Sequence, residues 1–244
     1  MALIDFQTAL GRLVRVPDDK NPLRGLNLDT GERLYIEALK ENAGFRFSVS
    51  IQRSWSIGRA AKSAHLTLSI LPDNERRRLL DEWINSGAGT QSFYHAEADS
   101  FLDFIMGRLI NPSHAHTVCQ LEQATLRSSN GTNYFAAPDL FRLNSLECLL
   151  GRGRYAGLVR FYAEPGRLLD SLQKHEPIPP LSPEVMTMLF APGLDQLFRP
   201  ASIDEVNLWD RLDTPVAVGA LLGEGHQQET FEILLNVGAV EYTT

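Results

Sequence analysis

The stretch Val185-Met-Thr-Met-Leu-Phe190, followed by Ala191-Pro192-Gly193, decides which fold the sequence predicts. The first segment has the apolar and aromatic content that is typical of a β-strand, and the second supplies a turn. Residues Leu194 to Arg199 then predict a second strand, so the two strands would form a β-hairpin. Pro200 ends the hairpin, because proline cannot donate a backbone hydrogen bond to a central ladder.

Three short helices are predicted after the hairpin. Ser202 followed by Glu205 has the pattern of a capping box, and the helix that it starts runs to about Leu212. A second helix follows Thr214-Pro215, and a third covers Gln227 to Val237. A hairpin followed by three short helices is the layout of small winged-helix modules.

The N-terminal half has apolar residues at helical spacing and no convincing strand pattern. Helices are predicted over residues 32–44, 45–62, 73–85, 100–110 and 114–127. The first predicted strand is Tyr155 to Tyr162. The sequence therefore predicts an α+β protein, with an all-helical domain over residues 1–130, a connection over 131–153 and a winged-helix-like module over 154–244.

The composition excludes several classes of protein. The chain has 244 residues, of which 43% are hydrophobic and 22% are charged, and its formal net charge is −7. These values exclude collagen-like, low-complexity and wholly disordered chains, and the mild acidity gives no overall field that favours nucleic acid. No run of about 18 apolar residues occurs, and Asp5 lies where a signal peptide needs positive charge. We therefore expect a cytoplasmic protein without a membrane partner, in which Cys119 and Cys148 stay reduced.

Known catalytic motifs are absent from the sequence, so no catalytic residue is assigned. Gly151-Arg-Gly153-Arg-Tyr-Ala-Gly157 is close to a dinucleotide-binding fingerprint, but three residues rather than two precede its last glycine. His116 and Cys119 are neighbours on a predicted helix, beside His114, and could share a metal ion. We favour the alternative, in which these residues are a helix start with polar histidines and a small buried thiol and hold no metal. Because no further ligands are identified, no metal site is assigned.

The predicted hairpin suggests a peptide-binding edge, because an extended peptide can add to an exposed strand and place alternate side chains in a groove. The edge would be the segment from Leu194 to Arg199, and the groove would lie against the helix from Gln227 to Val237. The residues predicted to bind the peptide are Leu194, Gln196, Leu197, Phe198, Arg199, Phe231, Leu234 and Leu235. The alternative is that these apolar side chains only fill the core of their own module.

A DNA-binding transcriptional regulator is the second function that the predicted fold suggests. A winged-helix module with several arginines, among them Arg152 and Arg154, invites this interpretation. The helix from Gln227 to Val237 argues against it, because it carries Glu229 and Glu232 and no basic residue that could face phosphates.

Three segments carry a resemblance to a known family. They are Leu34-Tyr-Ile-Glu-Ala-Leu-Lys-Glu-Asn42, Ser113-His-Ala-His-Thr-Val-Cys-Gln-Leu-Glu-Gln-Ala-Thr-Leu-Arg127 and the hairpin–helix module from Val185 onward. Together they resemble the MbnC family of methanobactin biosynthesis proteins and, more distantly, the partner proteins encoded beside iron-dependent enzymes of the DUF692 class. In that wider group a helical N-terminal domain precedes a small C-terminal module.

The resemblance implies a heterodimer with an MbnB-like TIM-barrel enzyme that holds the iron, so no cofactor is expected in this chain. The pair uses dioxygen to convert cysteines of a precursor peptide into oxazolone and thioamide groups. The MbnC-like chain would bind the leader of that peptide and help to close the active site. The residues expected to face the partner enzyme or its active site are His114, His116, Arg127, Arg152 and Arg154.

Overall fold

The computed structural model describes residues 3–16, 21–88 and 94–243. It has a mixed α+β fold, which confirms the predicted class. The chain divides into two compact units, Met1–Ile105 and Met106–Thr244. No helix in the described ranges is long and apolar enough to cross a membrane.

The first unit consists of helices joined by turns and irregular segments, with no strand among its described residues. Its helices are α1 (Leu3–Arg15), α2 (Thr30–Glu41), α3 (Ala43–Ser63), α4 (His65–Ile70), α5 (Asp73–Asn85) and α6 (Tyr94–Met106), whose last residue belongs to the second unit. Side-chain caps define where two of them begin: Asp29 and Glu32 form a capping box at α2, and the side chain of Asn42 accepts a hydrogen bond from Phe45 N at α3.

The second unit combines helices with two small antiparallel sheets. Its helices are α7 (His114–Gly131), α8 (Pro165–Lys174), α9 (Ile203–Arg211), α10 (Val218–Gly223) and α11 (Gln228–Asn236), with a 3-10 helix at Leu140–Asn144. Its strands are β1 (Leu149–Arg152), β2 (Gly157–Phe161), β3 (Met186–Phe190), β4 (Arg199–Pro200), β5 (Val216–Ala217) and β6 (Val240–Thr243). The strand orders are β5-β1-β6 in one sheet and β2-β3-β4 in the other.

Helix α7 belongs to the second unit, although the sequence placed it in the N-terminal domain. It packs against β2, and Oγ1 of Thr117 donates a hydrogen bond of 3.0 Å to the carbonyl oxygen of Arg160. Ala124 approaches the backbone so closely that a Cβ at Gly157 would lie 3.2 Å from the Cβ of Ala124. The helix therefore rests directly on the sheet, and glycine at position 157 makes the close approach possible.

The predicted hairpin is present only in part. Strand β3 lies where the sequence predicted the first strand, and it pairs with β2 along its whole length, from Gly157 opposite Phe190 to Phe161 opposite Met186. The prediction of a second strand from Leu194 to Arg199 is wrong, because β4 has only the two residues Arg199 and Pro200. Residues 191–198 form a loop instead, and Pro200, which has no N–H, limits the ladder.

The helices after the hairpin begin close to their predicted positions. At α9 both hydrogen bonds of the capping box are present: Glu205 N donates to Ser202 Oγ, and Ser202 N donates to a carboxylate oxygen of Glu205. Strands β5 and β6 flank α10 and α11 and were not predicted. Both pair with β1, a strand within the segment that the sequence assigned to the connection.

Candidate functional site

The apolar residues predicted to line a peptide groove are buried in the core of the second unit. Phe231, Leu234 and Leu235 of α11 are closed off from solvent and pack in one cluster with residues such as Leu150 and Val240. Phe231 and Leu234 therefore have no surface to offer a peptide, whereas Leu235 also lines a surface cavity of about 330 Å³. The alternative that the sequence left open, in which these side chains fill the module's own core, describes their packing.

The predicted edge segment has no strand backbone to offer a peptide. Leu194 is partly buried against the core cluster, and the Phe198 ring packs on Phe190 with ring centroids 5.1 Å apart. Arg199 donates hydrogen bonds of 2.8 and 2.5 Å to the two carboxylate oxygens of Glu205, and this bonding raises the pKa of Arg199. Of the five predicted edge residues, only Gln196 and Leu197 are exposed.

Three other predicted residues meet in one cleft of the second unit. Arg127 of α7, Arg152 at the end of β1 and Arg154 in the following loop line a cavity of about 320 Å³. Gln120 and Gln123 of α7 and Trp209 of α9 line the same cavity. Guanidinium and amide groups donate hydrogen bonds, so this arginine cleft suits an anionic or carbonyl-rich ligand.

The loop between β1 and β2 packs so closely on the residues before β6 that only glycine fits at position 153. A Cβ at Gly153 would collide with the carbonyl oxygen of Gly238. Instead, Gly153 N donates a hydrogen bond of 2.8 Å to the carbonyl oxygen of Ala239, and Ala156 N closes the turn onto the oxygen of Gly153. The loop is therefore fixed to the residues that precede β6, and Arg154 projects from a defined position.

Arg152 and Arg154 differ in the partners that they already have. The Nε of Arg152 donates a hydrogen bond of 2.8 Å to the carbonyl oxygen of Trp209, and its Nη1 lies 2.5 Å from a carboxylate oxygen of Asp213. Arg154 is exposed and lies over the ring of Tyr155, 4.5 Å from its centroid. Within the part of the chain that the structure describes, no ion pair joins Arg154 to a carboxylate. Arg154 is therefore a residue of the cleft whose guanidinium has donors available to a ligand.

A second cavity, which we call the aromatic groove, is lined by Arg154 at one end and extends beside β6. Its volume is about 330 Å³, and Arg154 lines both cavities. The rings of Tyr134 and Tyr155 are stacked at 5.9 Å, and the guanidinium of Arg142 lies 4.3 Å from the centroid of the Tyr242 ring. Other residues that line the groove are Phe135, Pro138, Pro192 and Val240.

Strand β6 itself offers an edge that the sequence did not predict. It pairs with β1 on one side and is the last strand of its sheet, so its other side has no partner strand among the described residues. Val240 is buried and Glu241 is exposed, whereas Tyr242 and Thr243 are half-buried. The signal in the sequence is weak, because the four residues of β6 are too few to establish a period of two.

The two histidines that were expected to face a partner do not line the arginine cleft. The Nε2 atom of His114 lies 2.8 Å from the carbonyl oxygen of Pro179, and half-burial of His116 lowers the pKa of its imidazole. Cys119 is buried and unbridged. No cluster of three or more His, Cys, Asp or Glu residues that could hold a metal occurs in the described ranges.

Comparison of the chain with protein-family models and with curated proteins gives no match. The geometry described above defines the candidate site. It consists of the arginine cleft and the aromatic groove, which meet at Arg154 beside the edge of β6.

Proposed function

We propose that this chain is the peptide-recognition subunit, without catalytic residues of its own, of a heterodimeric iron- and dioxygen-dependent complex. In this proposal it binds the leader of a precursor peptide, as the resemblance to the MbnC family implies. An MbnB-like barrel enzyme holds the iron and converts cysteines of the peptide to oxazolone and thioamide groups. The observation that carries the proposal is the meeting of two cavities at Arg154 beside the edge of β6.

An extended peptide can use all three features at once. Its backbone would pair with the outer side of β6, while successive side chains alternate between the two faces of the new strand. A carboxylate of the peptide would reach Arg154, and an apolar side chain would enter the aromatic groove. Aromatic and arginine side chains are the residues that most often dominate binding free energy at interfaces.

In this proposal the C-terminal module is winged-helix-like, and its peptide edge is β6 rather than the segment from Leu194 to Arg199. Helices α9, α10 and α11 would supply the helical part, and β3 with β4 would supply the hairpin. The shift of the edge agrees with the fold, since residues 191–198 form a loop and β6 is an edge strand.

The first test is co-expression of the full chain with the products of neighbouring genes, an iron enzyme and a short Cys-containing peptide. We expect the three to co-purify. Binding of the fluorescently labelled precursor peptide is then compared between wild type and Arg154→Ala, for which we expect an affinity about tenfold weaker. Failure of the peptide to bind the wild-type chain, alone and with the enzyme, would contradict the proposal.

Arg160→Ala is the matched control for Arg154→Ala. Arg160 is an exposed arginine of the same unit that lines neither cavity and pairs at 2.6 Å with Asp210. Surface ion pairs of this kind contribute little, so we expect unchanged peptide affinity and unchanged stability. Leu197→Pro separates the two candidate edges, because it alters the loop of residues 191–198 and leaves β6 intact. Loss of binding in Leu197→Pro with retention in Arg154→Ala would place the peptide at the loop.

The DNA-binding alternative is tested in the same assay with a labelled DNA duplex. Helix α11 presents Glu229 to solvent, and the Glu232 side chain accepts a hydrogen bond of 3.0 Å from Gln228. These acids oppose a phosphate backbone. Binding to the duplex that weakens steeply with salt, without binding to the peptide, would favour a regulator over the proposed subunit.

A further inference from the structure

Helix α3 of the first unit exposes a stripe of three large apolar side chains. Phe47, Ile51 and Trp55 are 65%, 42% and 69% exposed, and their spacing of four residues places them on one face of the helix. At a rise of about 1.5 Å per residue, the stripe is about 12 Å long. Val49 and Ala60 are buried on the side of α3 that packs within the unit, so the stripe is not part of the core.

The surface continues into a cavity next to Trp55. This cavity has a volume of about 490 Å³ and is lined by Ser54, Trp55, Gly58, Arg59 and Lys62. A Cβ built at Gly58 would have no atom within 4 Å, so the notch beside the indole is open and not filled by the unit itself. A flat aromatic ring beside a notch is a place where an apolar side chain of another molecule can insert.

The charges of α3 indicate what kind of molecule fits this surface. The helix contains Arg46, Arg53, Arg59 and Lys62 and no Asp or Glu, although the whole chain has a net charge of −7. Arg59 reaches the buried carboxylate of Glu97 at 2.6 Å, whereas no ion pair joins the exposed Lys62 to a carboxylate in the described ranges. The apolar stripe therefore ends at a positive charge that has no acidic neighbour of its own.

We propose that this α3 surface, formed by Phe47, Ile51, Trp55 and Lys62, is a docking site for an acidic amphipathic helix of a partner protein. The stripe has the length and spacing that a helix laid against it can match, and Lys62, which has no ion-pair partner among the described residues, selects acidic flanks. The inference goes beyond the proposed peptide recognition, because every residue of the surface belongs to the first unit and the peptide site belongs to the second.

The tryptophans of the chain make the proposal directly measurable. Of the three, Trp83 is 1% exposed and Trp209 is 8% exposed, so Trp55 accounts for nearly all quenching by acrylamide. The probe is a synthetic helical peptide of about 18 residues, with leucines on one face and glutamates along its flanks. We expect this peptide to shift the Trp55 emission to the blue and to reduce its quenching by acrylamide, with binding weakened by salt.

Three variants of the full chain complete the test. Phe47→Ser and Lys62→Glu should each weaken binding of the acidic peptide by about tenfold. Leu34→Ser is the matched control, because Leu34 is 67% exposed on α2, outside the stripe, and its replacement should leave binding unchanged. Thermal melts of all three variants should match that of the wild type, since none of these side chains is buried.

Three results would overturn the proposal. One is equal binding of a control peptide whose glutamates are replaced by lysines. Another is a blue shift of Trp55 with vesicles of phosphatidylserine and phosphatidylcholine but not with the acidic peptide, which would assign the stripe to a membrane surface. The last is a blue shift that grows with protein concentration alone and accompanies dimers in sedimentation, which would assign the stripe to a second copy of this chain.

Discussion

Replacement of Glu205 by glutamine removes one charge from a site where the hairpin meets α9. The Glu205 carboxylate is buried and accepts three hydrogen bonds, of 2.8 and 2.5 Å from the Arg199 guanidinium and of 2.8 Å from Ser202 N. Glutamine keeps the length of the side chain and can still serve in a capping box. It turns one acceptor into an N–H₂ group, which would face the donors of Arg199.

The expected cost is about 2–3 kcal/mol in the free energy of unfolding. Hydrogen bonds to charged groups contribute about 1.5–3 kcal/mol each, and breaking a buried ion pair costs about 3–5 kcal/mol. We expect a cost near the lower ends of these two ranges, because the Arg199 side chain is 31% exposed and water can replace part of the hydrogen bonding that Arg199 loses. Arg199→Gln combined with Glu205→Gln should cost less than the sum of the single changes, because each single change leaves one partner unsatisfied.

The pH dependence of this cost tests its electrostatic origin. Burial raises the pKa of Glu205, but the hydrogen bonds from Arg199 and Ser202 outweigh it, so this pKa lies below its usual value. A carboxyl group with a lowered pKa stabilises the fold above its unfolded pKa of about 4.3, and this contribution disappears as the pH falls through the folded pKa. The stability difference between wild type and Glu205→Gln should therefore be full at pH 7 and smaller at about pH 3.

The measurement is urea unfolding followed by the fluorescence of Trp209, which lies in α9, in a chain where Trp55 and Trp83 are replaced by phenylalanine. Each variant is compared with the unchanged Arg199–Glu205 pair in a chain that carries the same two phenylalanine replacements. A difference below about 0.5 kcal/mol at pH 7, or an equal difference at both pH values, would refute the assignment of Arg199 and Glu205 as a structural ion pair.

Two more predictions concern residues that the sequence singled out. Phe231→Ala should lower the free energy of unfolding by about 3–5 kcal/mol in the same urea assay, because Phe231 is fully buried, and a change under about 1 kcal/mol would contradict its place in the core. Burial lowers the pKa of the folded His116 imidazole, so protonation favours the unfolded chain and the wild type should lose stability as the pH falls below about 6.5. His116→Gln should remove this loss. Identical pH profiles of stability for the two proteins would contradict this prediction.

The parts of the fold that the sequence predicted correctly are those with local signals. The capping box at Ser202 and Glu205 places the start of α9 within one residue, and Pro112-Ser113 marks the start of α7, where the Ser113 side chain accepts a hydrogen bond from His116 N. Strand β3 has enough apolar residues to be recognised on its own. In each case, the residues that determine the element lie within the element or next to it.

The strands that the sequence missed depend on partners far away in the chain. In the β1–β6 ladder, Leu149 lies opposite Thr243 and Arg152 opposite Val240, and β5 has only two residues. Strands of two to four residues are too short for a period of two to be visible. The arginine cleft was missed for the same reason: Arg127, Arg152 and Arg154 were candidates, but only the packing of α7 on β2 brings them together.

Both proposed ligands are acidic, so net charge cannot be what distinguishes them. The arginine cleft would accept a carboxylate from a chain in extended conformation, because the edge of β6 offers backbone partners along a strand. The α3 surface offers no backbone partners, since the N–H and C=O groups within a helix are already bonded, and its apolar side chains recur every four residues. An acidic peptide that alternates polar and apolar residues should therefore select the second unit, and one with helical periodicity should select the first. Arg154→Ala should weaken only the binding of the alternating peptide, and Phe47→Ser should weaken only the binding of the helical peptide.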